Sequence, residues 1–290
     1  MRVRAQFVRM LGGKSTAPCP SPQTLGLVHD PAYVQSFLNG TISPQAMRRI
    51  GLAWSRDLVR RTLAGVGSVV LAARLALQFG VACTTNGGTH HAHHAHGSGW
   101  CIFNDCAVAA RAAQRDAGVD RVLILDLDVH QGDGTATIFC EDPTVFTLSI
   151  HCGAQPFPAA LASSDLDVAL PIGTGDAQYL TALQEALNPV LECWRPQLIF
   201  YNAGADVHKD DMLGLLALTD AGVEARDRQV LEACARAGVP VAAVIGGGYD
   251  PDHARLVERH LLLHRAAADL MPLLGCNGRA ARRTRTATAQ

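Results

Sequence analysis

Four short apolar runs of strand type each end in a cluster of polar residues and glycine. They are Arg121-Val122-Leu123-Ile124-Leu125, Val145-Phe146-Thr147-Leu148-Ser149-Ile150, Leu198-Ile199-Phe200-Tyr201 and Val239-Pro240-Val241-Ala242-Ala243-Val244-Ile245. Helical apolar spacing lies between and around them, over 56–79, 104–118, 176–193, 220–237 and 251–270. Strands that alternate with helices form βαβ units, and the sheet they build is mostly parallel with helices on both faces. Runs this rich in Val, Ile and Leu suit strands covered on both sides. With 290 residues and 48% hydrophobic content, the chain can bury one large α/β domain.

Ligands of an open α/β sheet bind beyond the carboxyl ends of its strands. Asp126, Asp128 and His130 follow the first of these runs, and His151 follows the second. Asn202 through Asp206 follow the third, and Gly246-Gly247-Gly248-Tyr249 the fourth. Upstream, five of the twelve histidines fall within 90–96. A His-His pair and an Asp-x-Asp-x-His run are the parts of a metal-dependent hydrolase. Asp128 and His130 lie two apart and face one side of an extended segment together. Asp206 is the natural third ligand, and zinc suits this mixture of carboxylate and imidazole. Such a zinc lowers the pKa of its water to roughly 7. His90 or His91 then serves as general base, with a carboxylate behind each ring. Tyr249 donates its hydroxyl to a developing oxyanion.

The chain resembles the histone deacetylase superfamily, and most of all its bacterial and class IV members. The resemblance runs from about Leu27 to Leu270. It rests on Leu27-Val28-His29-Asp30-Pro31-Ala32-Tyr33-Val34, Gly87-Gly88-Thr89-His90-His91-Ala92-His93, Gly99-Trp100-Cys101-Ile102-Phe103-Asn104-Asp105 and the run 125–134. Ser164–Asp167, Gly173–Asp176, Ala203–Asp206 and Gly246–Tyr249 complete it. The resemblance implies an arginase/deacetylase-type fold. It implies zinc on Asp128, His130 and Asp206, with His91 backed by Asp133 as general base and His90 backed by Asp126 as electrostatic stabiliser. Tyr249 polarises the amide carbonyl. Gly99, Trp100, Phe157 and Gly247 line the substrate. A monovalent cation, usually potassium, sits on Asp126, Asp128, His130, Ser149 and Ile150. The substrate expected is an acyl-lysine in a protein or peptide, carrying acetyl or a longer fatty acyl group. Trp100 stands where phenylalanine is usual, and Gln131 where many relatives have histidine.

The alternatives are an acetylpolyamine or other small-amide hydrolase, an arginase-like binuclear hydrolase, and a non-catalytic binding module. Lys209 interrupts the Asp-x-Asp arrangement that a binuclear site needs after Asp206. All the ligands and Tyr249 are present, which argues against a module without chemistry. Net charge is −1, so no nucleic-acid or membrane partner is expected. No uninterrupted apolar run approaches roughly 18 residues. The scattered cysteines, without a Cys-x-x-Cys pair, suit reduced thiols and a cytoplasmic location. Residues 1–26 read as a poorly ordered or truncated segment, 27–274 as the domain, and 275–290 as a disordered basic tail. His93, His94 and His96 read as surface or loop-supporting residues. His208, His253, His260 and His264 read as surface or helix-face residues, Asp165 and Asp167 as turn and cap residues, and Cys101 and Cys152 as buried inert thiols.

Overall fold

The structure is a computed structural model that describes residues 17–285, with side chains as far as Leu270. Residues 1–16 and 286–290, the outer parts of the two expected loose ends, lie outside it. Six strands form one all-parallel sheet in the order β1-β6-β5-β2-β3-β4. They are β1 Val81–Cys83, β2 Val122–Asp126, β3 Val145–Cys152, β4 Leu166–Leu170, β5 Leu198–Asn202 and β6 Val241–Val244. Successive residues of a strand point to opposite faces, and each central strand divides its apolar residues accordingly. Val122, Ile124, Leu198, Phe200, Ala242 and Val244 pack into one core, and Leu123, Leu125, Ile199, Tyr201, Val241 and Ala243 into the other.

Nine helices complete the described part: α1 Pro22–Leu25, α2 Pro31–Asn39, α3 Pro44–Ile50, α4 Arg56–Phe79, α5 Asp105–Ala117, α6 Asp133–Phe139, α7 Asp176–Pro189, α8 Asp220–Ala237 and α9 His253–Arg285. A π-helical turn, Val190–Trp194, extends α7. Helices α4 and α5 cover one face, and α7, α8 and α9 cover the other. The starts are written in capping residues. Ser21, Asp30 and Ser43 each accept a backbone N–H three residues on, with proline at the first helical position. Ser55, Asn104 and Thr219 cap α4, α5 and α8 in the same way.

The alternation expected from the sequence holds, with additions and differences; helices α2, α3 and α6 were not anticipated. Strand β4 was not anticipated, and Asp167 lies inside it rather than in a turn. Strand β1, three residues long, is too short to register as a periodic run. Within the stretch expected to be loose, Ser21 caps a helix whose Leu25 is fully buried. Helix α9 runs on to Arg285, past the expected end at 270 and into the stretch expected to be a disordered tail. Although no unbroken apolar run is that long, α4 has the length and hydropathy of a membrane span, with a mean hydropathy of 1.5. Its apolar side, Val66, Val69, Val70, Ala73 and Ala76, is instead buried within the protein core, with α5, β1 and β6 among its packing partners.

Candidate metal centre and catalytic site

The register of the sheet assembles the site. Asp126, the last residue of β2, stands beside Ser149 of β3 on one side and Asn202 of β5 on the other. The loops that leave these strand ends carry Asp128 and His130 from β2, Asp206 from β5 and Tyr249 from β6. All three candidate ligands are buried, and one ligand atom from each falls within 4.8 Å of the others. His130 Nδ1 lies 3.1 Å from Asp128 Oδ1 and 3.4 Å from Asp206 Oδ2. Backbone amides hold the carboxylates. Val129 N–H donates to Asp206 Oδ1 at 3.0 Å, His130 N–H to Asp128 Oδ1 at 3.0 Å, and Gly247 N–H to Asp128 Oδ2 at 2.8 Å. Residue 247 is glycine for a steric reason, since an added Cβ would collide with the Asp206 and Asp128 carboxylates.

Two buried carboxylates this close are costly unless a cation compensates them. Burial and the neighbouring Asp128 charge push the Asp206 carboxyl up. Burial opposes a charged His130, but the two carboxylates outweigh it and hold the ring's pKa up at about 10. The three side chains therefore collect positive charge. Asp206 Oδ2, fully enclosed, accepts no hydrogen bond. An orphaned oxygen beside a carboxylate and an imidazole nitrogen fits a zinc-type ligand set.

The His-His pair sits above this cluster, its ring centroids 4.0 Å apart. His90 Nδ1 meets Asp126 Oδ2 at 2.6 Å, and His91 Nδ1 meets Asp133 Oδ1 at 2.6 Å. A carboxylate can only accept, so each Nδ1 carries the hydrogen, and the Nε2 of a neutral ring is left with a free lone pair. The two rings diverge electrically. His90 is held up at about 9, because Asp126 and Asp128 outweigh its burial. His91 is lowered to about 4 by burial and by the charge on His90, and stays neutral at pH 7. Asp126 is itself fixed by Asn202 Nδ2 at 2.8 Å and by the Asp128 N–H at 3.2 Å.

The remaining expected residues close the site at its outer end. Phe157 meets His91 edge-on at 4.7 Å, and an alanine Cβ at Gly99 would come within 2.7 Å of the Phe157 ring. Trp100 is half exposed, has a left-handed φ of 61°, and lies 5.5 Å from the Tyr249 ring. Tyr249 N–H donates to Asp211 Oδ2 at 2.6 Å. Burial first, then the Asp128 and Asp206 charges, push the Tyr249 phenol up and keep it a hydrogen-bond donor. Ile150 is buried beside Ser149, whose hydroxyl pairs with His151 Nδ1 at 2.9 Å.

The structure also gives parts to residues whose contacts the sequence left open. Gln131 clasps Ala162 through both amide atoms and also donates to Asp167, which pins the 159–162 segment near the site. Arg226 of α8, fully enclosed, donates to the carbonyls of Leu127 and Gly204, just before the ligand residues Asp128 and Asp206. Gln155 donates to the carbonyl of Leu213 at 2.6 Å and lies 3.2 Å from His130 Nε2. His29 of the Leu27–Val34 motif is fully buried. Its Nδ1–H donates to the His93 carbonyl and its Nε2 accepts the Asn104 N–H, which ties the histidine loop to α5. His208 is a correction to the surface reading, being buried against Asp220 at 3.3 Å. Asp165, just before β4, accepts from Thr147 N–H and Oγ1–H of β3 and so links the two strands. Cys101 and Cys152 are buried, and burial pushes the Cys101 thiol up, away from reactivity.

The family described as "Histone deacetylase domain" matches residues 5–264 of this chain. The match begins earlier than the motifs quoted above. Similarity also reaches an uncharacterized protein of Picosynechococcus sp., 53% identical over 87% of this chain and 83% of that one. "Histone deacetylase 2" of Arabidopsis thaliana is 34% identical over 66% of this chain, and a "Probable deacetylase" of Methanothermobacter thermautotrophicus 36% over 64%. The matches span 50% and 59% of those two proteins. The crystal structure of the HDA15 HD domain shares the fold, with a TM-score of 0.72 at 24% identity over 94% of this chain and 80% of that one. This chain belongs to the histone deacetylase family, with the arginase/deacetylase-type architecture.

Proposed function

We propose that the protein hydrolyses N-acyl amides, with the ε-acyl group of a lysine in a protein or peptide as substrate. The observation that carries the reading is the convergence of two carboxylate-backed histidines on a buried Asp-His-Asp ligand set. Asp128, His130 and Asp206 would hold a zinc ion, which would supply a Lewis acid for the amide carbonyl and lower the pKa of water beside it. His91 takes the proton of the attacking water at Nε2 while Asp133 holds its Nδ1–H. It later returns that proton to the departing lysine amine, leaving a carboxylate product. His90, charged beside Asp126, stabilises the negative charge that develops. The Tyr249 hydroxyl donates to the carbonyl oxygen as it becomes an oxyanion. Phe157, Gly99 and Trp100 flank the lysine stem, and Gly247 lets the backbone approach the ligand set. Asp126, Ser149, Ile150 and the backbone of Asp128 and His130 would hold a potassium ion, which would add fixed positive charge near the ligand set. The free cysteines of the described residues accord with a reducing cytoplasm.

The test is turnover of matched acetyl-, octanoyl- and myristoyl-lysine peptides beside an N-acetylated polyamine, with bound metal quantified. Hydrolysis of a lysine peptide with one zinc per chain is the expected result, and the profile of rates sets the acyl length. Turnover of the polyamine alone would replace the proposed substrate class with the small-amide one.

A further inference from the structure

The two backing carboxylates are held differently. Asp126 is anchored by Asn202 and by a backbone amide in addition to His90. Among the described residues, Asp133 receives hydrogen bonds only from imidazoles. His91 Nδ1 meets Oδ1 at 2.6 Å, and His93 Nε2 meets Oδ2 at 3.2 Å. His93 is itself fixed. Its Nδ1 lies 2.8 Å from Thr137 Oγ1, and its ring stacks on His96 at 4.4 Å and 14°. Thr137 follows Asp133 by four residues on α6, so one ring bridges two neighbouring side chains of the same helix face. His93 N–H donates to the His96 carbonyl at 2.9 Å and closes the loop. Burial alone would raise the Asp133 carboxyl, and the bonds from His91 and His93 pull it below the ordinary range. Oδ2 therefore accepts, and His93 Nε2 carries the hydrogen.

We propose that His93 is a positioning residue for the reaction. By donating to Asp133 Oδ2 it fixes the rotation of that carboxylate, so that Oδ1 stays aimed at His91 Nδ1, the part Asn202 plays for Asp126. The inference rests on His91 as general base. His93 touches neither the ligand set nor the substrate channel, so its loss affects the proton-transfer step and leaves metal and substrate binding alone.

The test compares wild type, His93→Ala, His93→Gln and His91→Ala on one acyl-lysine peptide, with zinc content and Tm measured for each. Glutamine carries an amide N–H at the same number of bonds from Cα as His Nε2, so it can restore the donor. The expected result is a kcat lowered roughly tenfold in His93→Ala, the low end for losing an outer hydrogen-bond partner. KM and zinc content stay unchanged, and His93→Gln recovers to within about threefold of wild type. A His93→Ala kcat within about twofold of wild type overturns the proposal. So does a loss that His93→Gln fails to restore, or one that appears in KM or zinc content instead. His91→Ala separates the two ideas. Full kcat there removes the general-base reading and His93's role with it. Loss there beside a normal His93→Ala removes the His93 proposal alone.

Discussion

Arg226→Met tests how the ligand loops are held. The Arg226 guanidinium is enclosed on all sides and makes four bonds: two to Asp227 Oδ1, at 3.0 and 2.8 Å, and one each to the carbonyls of Leu127 and Gly204. Tyr201 donates to the same Asp227 oxygen at 2.5 Å. Methionine preserves much of the volume but removes every donor. Removing one partner of a buried ion pair costs about 3–5 kcal/mol. Each orphaned carbonyl adds about 1–3 kcal/mol. Asp227 limits the damage by taking a proton, since burial already raises its carboxyl. The net expectation is about 5 kcal/mol, comparable to the whole stability of many domains. Urea unfolding followed by circular dichroism measures it. Adding Asp227→Leu to Arg226→Met removes the orphaned carboxylate and should recover at least half of the loss. The two carbonyls belong to the loops that lead into Asp128 and Asp206, so the zinc affinity of the folded variant should fall as well. An Arg226→Met protein within about 1 kcal/mol of wild type would refute the network's role.

His29 has a pKa lowered from 6.5 to about 4, by burial first, so it is neutral when folded. Above pH 6.5 neither state is charged and the group has no effect. As pH falls from 6.5 to about 4 the unfolded chain takes the proton first, so folded stability is lost by about 3 kcal/mol at about 1.4 kcal/mol per pH unit. His29→Gln should show a flatter dependence of Tm on pH over that interval, and identical slopes would contradict the assignment. Tyr249→Phe should retain zinc and lose roughly 10²–10³ in kcat, as for one oxyanion donor; unchanged turnover would remove the role given to the hydroxyl. Gly99→Ala places a Cβ 2.7 Å from Phe157 and 3.0 Å from His91 Cδ2 at a φ of +49°. It should lower kcat/KM by roughly 10² by displacing the catalytic ring, and activity equal to wild type would mean that the rim yields.

Much of the site was legible because parallel sheets concentrate chemistry at their carboxyl ends. The runs ending at Leu125, Ile150, Tyr201 and Ile245 announced where the polar loops converge, and Asp128, His130 and Asp206 meet there. What stayed hidden depends on side-chain partners far apart in sequence. His93 is one polar residue among five histidines, and only the fold reveals that it faces Asp133. Arg226 sits on a helix whose pattern marks it as amphipathic, and nothing local signals that its guanidinium crosses beneath two loops. Strand β4 alternates Leu166, Val168 and Leu170 with exposed Asp167 and Ala169, a short edge pattern that Asp167 and the preceding Asp165 disguise as a turn. Helices α2 and α3 carry their local signal in Asp30-Pro31 and Ser43-Pro44, a cap followed by proline at the first helical position.

The most direct measurement is a metal titration of the stripped protein. The apoprotein receives zinc in steps while hydrolysis of one acyl-lysine peptide is followed, beside Asp206→Ala treated identically. Turnover should rise linearly and reach its plateau at one zinc per chain, and the variant, missing a ligand, should stay inactive at the same zinc. Turnover that is full before zinc is added, or equal in Asp206→Ala, would contradict a zinc-dependent reaction.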